Sequence, residues 1–142
     1  MSANYTLAII KPDAFGSAKA GKILAHLEQQ GFRVRAVRVL HLGDAEAKEF
    51  YDVHRERPFF RSLVSFMTSG PCMPMVLEKP DAVGALRTAI GATDPAEAAA
   101  GTVRKLFAES KERNAIHASD SDENAAREAR FFFAETEMLR GK

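Results

Sequence analysis

The stretch Arg113-Asn114-Ala115-Ile116-His117-Ala118-Ser119-Asp120-Ser121 runs from a short apolar segment into a cluster of small polar residues. Ala115 to His117 reads as a strand. The polar residues after it read as the start of a helix over Asp122 to Phe133, with Asp120 and Glu123 spaced as a capping box and Ser119 and Ser121 as further caps. A strand that feeds directly into a helix is the unit from which layered α and β structure is built. Its chemistry is suggestive as well. A helix start presents free N–H groups and partial positive charge, which hold phosphate and other anions. His117 therefore stands open to two readings, a histidine that ends a buried strand or a nucleophile beside an anion site.

Outward from this stretch, strands and helices alternate. Tyr5 to Ile10 is an apolar run broken by Lys11-Pro12-Asp13, a buried strand ending in a turn. Ala20, Ile23, Leu24 and Leu27 share one face of a helix that Gly31 terminates. Phe32 to Leu40 alternates β-branched and basic residues, as a strand does. Asp44 is placed to cap a helix reaching Tyr51, and Pro58 suits the first position of another. Met73 to Leu77 reads as a strand, with Pro74 expected at an edge or a bulge because it has no N–H to donate. Asp81 is placed to cap a helix through Ile90. Gly91 to Asn114 then reads as one long loop with a helical turn near Pro95–Ala99, and loops of that length are usually functional. The order predicts an α+β sandwich with helices over one sheet.

Composition narrows the function classes. A chain of 142 residues suits a single domain over 1–142. Its 46% hydrophobic and 27% charged residues are those of an ordinary globular protein. A net charge of +1 gives no field that favours nucleic acid or a membrane surface. Cys72 is the only cysteine, so no internal disulfide forms. No apolar run approaches the ~20 residues of a membrane span. Met1 to Tyr5 lacks the basic region and apolar core of a secretory signal, so a cytoplasmic location is expected.

Several side chains lie where a core does not need them. Lys11 ends an apolar strand, and is either the first solvated residue of a turn or a functional cation. Arg87 and Arg104 read singly as surface charges, and together with Lys11 and Thr93 as a clamp for a polyphosphate. The helix after Pro58 carries one core stripe (Phe60, Val64, Met67) and a second (Phe59, Leu63, Phe66) that needs covering by a neighbour, a partner subunit or a flat ligand. Phe59 is suited to stacking on a base. Glu128 falls at the edge of an apolar face, where a carboxylate is costly without a partner. It is placed either to pair with an arginine or to orient a histidine ring. His26 and His41 read as surface residues, and His54 as part of a polar turn. Phe131 points off the main stripe of the last helix, which suggests burial against another subunit.

With these residues assembled, the chain resembles the nucleoside diphosphate kinase family, its bacterial members in particular. The motifs that carry the resemblance are Thr6-Leu7-Ala8-Ile9-Ile10-Lys11-Pro12-Asp13-Ala14, Tyr51-Asp52-Val53-His54-Arg55-Glu56-Arg57-Pro58-Phe59-Phe60 and Met67-Thr68-Ser69-Gly70-Pro71. They continue through Gly91-Ala92-Thr93-Asp94-Pro95, Gly101-Thr102-Val103-Arg104 and Asn114-Ala115-Ile116-His117-Ala118-Ser119-Asp120-Ser121. Together they span nearly the whole chain in order.

The resemblance implies a ferredoxin-like fold, a four-stranded antiparallel sheet covered by helices. It implies exchange of the terminal phosphate between nucleoside triphosphates, ATP among them, and diphosphates, with Mg2+ carried mainly on the nucleotide phosphates rather than by protein ligands. His117 would be phosphorylated transiently. Lys11 and Asn114 would contact the ribose, Lys11 also lying near the moving phosphate. Arg87, Thr93 and Arg104 would hold phosphates, Phe59 would stack on the base, Tyr51 would line the phosphate site, and Glu128 with Ser119 would support the histidine. Stacking without reading a base edge implies broad base tolerance. The resemblance also implies a homo-oligomer built from dimers, a tetramer ahead of a dimer or hexamer.

Departures from the family pattern are few. Ala118 replaces a glycine, Ala100 stands where proline is frequent, Pro74 is unusual within its strand, and Lys105-Leu106 replaces a small and an acidic residue. Two other functions compete. A purely regulatory binding protein would not need His117, Glu128, Lys11 and Asn114 together. A phosphohistidine carrier to another protein would leave Phe59 and the two arginines without work.

Overall fold

The computed structural model describes residues 4–139. Its first strand, β1 (Tyr5–Ile10), is followed by a one-turn helix α1 (Pro12–Gly16) and by α2 (Ala20–Gln29). Strand β2 (Arg33–Val37) precedes α3 (Asp44–Phe50), a 3-10 turn at Asp52–His54 and α4 (Phe60–Met67). Then come β3 (Met73–Glu78), α5 (Ala82–Ile90), α6 (Val103–Phe107), β4 (Ile116–Ala118), α7 (Asp122–Phe132) and α8 (Glu135–Leu139). The sheet order is β2-β3-β1-β4 and every pairing is antiparallel, the ferredoxin-like arrangement.

Both faces of the sheet are covered. On one, Ala8, Ile10, Met75, Leu77 and Ile116 meet Ile23 and Leu27 of α2 and Leu86 and Ile90 of α5. On the other, Leu7, Ile9 and Val76 meet Phe50, Val64, Met67, Ala129 and Phe132 from α3, α4 and α7. This is why β1 is apolar from Leu7 to Ile10: there, neither set of its side chains reaches water.

The structure corrects several expectations drawn from the sequence. Pro74 lies on β3, an interior strand, opposite Ile9 of β1. The carbonyl of Pro74 accepts from Arg38 N at 3.2 Å, so its missing N–H faces that same side, just beyond the last residue of β2. The irregularity in this pairing sits in β2, between Val34 and Ala36. β2 is also shorter than expected; Leu40 makes only an isolated bridge to Cys72. The 91–114 segment is not one loop, since it holds α6. Pro58 lies in the turn before α4 instead of opening it, and Gly43 rather than Asp44 caps α3, with Glu46 Oε1 accepting from Gly43 N at 2.7 Å.

At the start of α7 the cap is Ser121, whose Oγ accepts from Asn124 N at 3.0 Å. Asp120 does not form a capping box with Glu123; its carboxylate accepts from Asn124 Nδ2 at 2.6 Å. Phe131 packs on Phe50 with ring centres 5.3 Å apart, so the chain's own α3 gives it cover. His26 is not a plain surface residue either: its ring meets Phe107 of α6 edge-on, and Nε2 is buried.

Candidate active site

Antiparallel pairing puts Ile9 opposite His117 and Ile10 opposite Ile116, so the end of β1 and the whole of β4 form one floor. Ile116 and Ala118 point into the core beneath α5, which directs His117 to the opposite face. There the imidazole lies between aromatic rings and a carboxylate. Phe50 and Tyr51 present their edges at 5.4 and 6.0 Å between ring centres. His117 Nε2 lies 2.7 Å from Glu128 Oε1, and Ser119 Oγ donates to the same oxygen at 2.7 Å.

Glu128 is buried on α7 beside the helix's apolar face. Burial pushes its carboxyl up, but hydrogen bonds from His117 and Ser119 and the charges of His117 and Arg127 outweigh that and hold it below the usual range. A carboxylate that stays ionised accepts the Nε2 proton, fixes the tautomer and leaves the lone pair on Nδ1. Of the two readings of Glu128, the structure carries the one in which it holds a histidine.

The cations come from the other face and from the strand ends. Lys11 follows β1 directly and is buried, with Nζ donating to Asn114 Oδ1 at 2.9 Å. Burial, then the charge of Arg104, lowers its pKa to about 8, against a smaller upward pull from Asp13. Arg104 is buried as well, contrary to its reading as a lone surface charge. Nη2 donates to Ile116 O at 2.7 Å, Nη1 to Gly91 O at 3.2 Å and Nε to Asn114 O at 3.4 Å. A guanidinium has five N–H groups, so two remain for an anion. Burial and the nearby Arg87 lower its pKa to about 10. Asn114 Nδ2 in turn donates to Thr93 O at 3.4 Å.

Arg87, Thr93 and Arg104 line one cleft of about 470 Å3, together with Gly91 and Thr102. The Asp120 carboxyl is held below its usual range chiefly by the Asn124 hydrogen bond, with the charges of Arg87 and His117 adding to the effect. Thr102 caps α6, accepting from Lys105 N, and so sets the direction in which Arg104 leaves the chain. Gly91, at φ 87, must be glycine: a Cβ there would stand 2.6 Å from Thr102 Oγ1.

Two predicted residues make no hydrogen bond within this network. Tyr51 is buried, its hydroxyl has no partner among the described residues, and burial followed by the Glu128 charge drives its pKa upward. Phe59 is 47% exposed and rests against His54 at 5.4 Å, at the outer end of α4. Leu63 and Phe66 of the same stripe are partly covered within the chain, and Phe66 lies under Arg113. Sequence reasoning missed Asp13 as a site residue. Its carboxylate is buried and accepts from Ala115 N at 3.0 Å, and its place directly after Lys11-Pro12 was the available signal. Among the described residues no group of three or more His, Cys, Asp and Glu is arranged to hold a metal ion. No helix among them is long and apolar enough to cross a membrane.

An imidazole with one nitrogen tied to a carboxylate, beside convergent cations, is the apparatus of an enzyme that moves phosphoryl groups through histidine. Comparison with known proteins agrees. The family model for nucleoside diphosphate kinase matches residues 4–138. A nucleoside diphosphate kinase of Chlorobium chlorochromatii is 58% identical over 109 residues, 77% of this chain and 78% of that protein. One of Halorhodospira halophila is 54% identical over 114 residues, 80% of this chain and 81% of its own. The crystal structure of the Aquifex aeolicus nucleoside diphosphate kinase superposes with a TM-score of 0.93 at 46% identity, covering 96% of this chain and 99% of that one. A nucleoside diphosphate kinase family protein from Babesia bovis gives 0.91 at 34% identity, covering 99% and 95%. The chain belongs to the nucleoside diphosphate kinase family. It is a phosphotransferase that moves phosphate between nucleoside triphosphates and diphosphates.

Proposed function

We propose that His117 carries the phosphoryl group between the two nucleotides, in a ping-pong exchange, and that one domain over 1–142 does this. The observation that carries the proposal is the His117–Glu128 hydrogen bond at 2.7 Å, with Ser119 on the same carboxylate oxygen. In the first half-reaction, the Nδ1 lone pair forms a bond to the γ-phosphorus. The bond from that phosphorus to the bridging oxygen breaks, and the diphosphate leaves with the electron pair. In the second, a terminal oxygen of the acceptor diphosphate attacks the same phosphorus and the N–P bond breaks. Glu128 stabilises the positive charge that Nε2–H shares during transfer.

The surroundings supply positioning and charge neutralisation. Arg104 with its two remaining N–H groups, Arg87 and Thr93 hold phosphate oxygens, and the ammonium of Lys11 faces the moving group. The unpartnered Tyr51 hydroxyl gives the phosphate a buried donor. Lys11 and Asn114 bond the ribose hydroxyls. Phe59 stacks on the base and reads none of its edge atoms, so purines and pyrimidines are both accepted. Mg2+ arrives on the nucleotide phosphates as part of the substrate and neutralises their charge; the donor set, cations rather than clustered carboxylates, suits that arrangement. The protein works in the cytoplasm as a homo-oligomer built from dimers, with a tetramer favoured. Val37 and Val39, half exposed beside the β2 edge, support such an assembly, and sedimentation at several concentrations tests it.

Labelled ATP and Mg2+ mixed with the protein should leave an acid-labile, base-stable phosphate on it, which a second nucleoside diphosphate then removes. His117→Ala should abolish both steps, and His26→Ala should abolish neither. Label that never reaches the nucleotide would overturn the proposal.

A further inference from the structure

Asn114, Ala115 and Ile116 form a strained corner. Ile116 N donates to Asn114 O at 2.9 Å across a central residue, Ala115, whose φ is 74°. That is the γ-turn with a positive central angle, rare because a side chain with a Cβ resists it. Strain of this kind persists only where neighbouring groups hold it. Here both peptide groups of Ala115 are tied to the start of α1. Its carbonyl accepts from Lys11 N at 2.9 Å, and its N–H donates to Asp13 Oδ2 at 3.0 Å. Asp13 is itself 5% exposed, and its second oxygen has no partner among the described residues.

Everything around the corner belongs to the site. Asn114 holds Lys11 Nζ with its side chain and Arg104 Nε with its carbonyl, while Ile116 O holds Arg104 Nη2. The next residue is His117. Were Ala115 to relax to a negative φ, Asn114 would swing relative to β4, and both cations would lose the acceptors that aim them.

We propose that Asp13 is a positioning residue for phosphoryl transfer: its carboxylate holds the Ala115 γ-turn and thereby sets Asn114, Lys11 and Arg104 against His117. This rests on the reading of His117 as the phosphate carrier. A buried carboxylate in this place also has an electrostatic effect. The charged groups that face Lys11 are Arg104 from α6 and Asp13 from α1, and only Asp13 favours the ammonium.

The test combines Asp13→Ala, Asp13→Asn, Ala115→Gly and the Asp13→Ala/Ala115→Gly double variant, with kcat, KM and the urea midpoint measured for each. Asp13→Ala should lower kcat/KM by about tenfold or more. Glycine tolerates a positive φ, so the double variant should recover at least about threefold over Asp13→Ala, read against Ala115→Gly alone. Asp13→Asn keeps an acceptor for Ala115 N–H and drops the charge. It should retain more kcat than the alanine variant, while the alkaline limb of its kcat/KM profile moves to lower pH. Activity of Asp13→Ala within about twofold of the native protein, or a double variant no better than Asp13→Ala, overturns the inference. If Asp13→Ala does not fold, the double variant decides: glycine removes the strain that the carboxylate holds, so a double variant that does not fold either overturns the inference. Native protein that takes up no label from ATP sinks the phosphohistidine reading instead.

Discussion

Lys11→Met replaces a buried ammonium by an apolar side chain of similar reach and tests how much stability the site gives up. Burial and Arg104 hold the Lys11 ammonium at a pKa of about 8, against 10.5 for an unperturbed lysine. That difference corresponds to about 3 kcal/mol between the two protonation states. The folded pKa is the lower one, so between about pH 8 and 10.5 the unfolded chain binds a proton that the folded chain does not. The contribution of Lys11 to native stability therefore rises with pH across this window, and the cost of the buried charge is fully present below it. The assay is urea unfolding of the ligand-free native protein and of Lys11→Met at matched pH and protein concentration, every other titrating group being common to both. The native stability minus that of the variant should be flat below about pH 8 and climb by about 3 kcal/mol by pH 10.5. The native kcat/KM should fall over the same alkaline range, because the free enzyme loses the cation that meets the phosphates. A stability difference that is constant, or that falls with rising pH, would refute the reasoning.

Three further outcomes are expected. Glu128→Gln leaves a group of the same shape but without charge, and a hydrogen bond to a charged partner is worth about 1.5–3 kcal/mol, so kcat should drop about 10- to 150-fold in stopped-flow phosphorylation. Phe59→Ala should raise KM by about 5- to 150-fold, from about 1–3 kcal/mol of lost stacking, to a similar degree for purine and pyrimidine nucleotides. A loss confined to one base would contradict the role given to Phe59. Gly91→Ala places a Cβ 2.6 Å from Thr102 Oγ1 on a backbone with φ 87. It should lower the thermal midpoint and weaken nucleotide binding together, as measured by calorimetry, because Thr102 caps the helix that carries Arg104.

What could be read from the residues follows from how far each signal extends along the chain. The apolar run Tyr5–Ile10 and the stripe of Ile23 and Leu27 announce a buried strand and a helix because pattern and burial coincide there. Helices α1, α6 and α8 have five residues each, too few to show a 3.6-residue period, and all three went unseen. Pro74 misled for a different reason. Its lack of a donor argues for an edge, yet the strand beside it ends before that donor is needed. In the site, Glu128 was legible because a carboxylate on an apolar face demands a partner. The convergence of Lys11 with Asn114 was not legible from spacing, since only the fold brings together residues 103 apart. It took resemblance to the family to assemble them. Asp13 went unrecognised because the strain it holds lies in the φ of another residue.

The place of β1 in the sheet has a consequence for synthesis of the chain. β1 leaves the ribosome well before its partners, β3 and then β4 at residues 116–118. The histidine–glutamate pair spans 11 residues and can close as a local unit, whereas Lys11–Asn114 and Asp13–Ala115 span 103 and 102. Loop closure over such distances is slow. One edge of an apolar strand therefore waits unpaired until β4 is made, a template for joining another nascent chain. Catalytic competence and protection from aggregation arrive in the same late event, when β4 seats against β1.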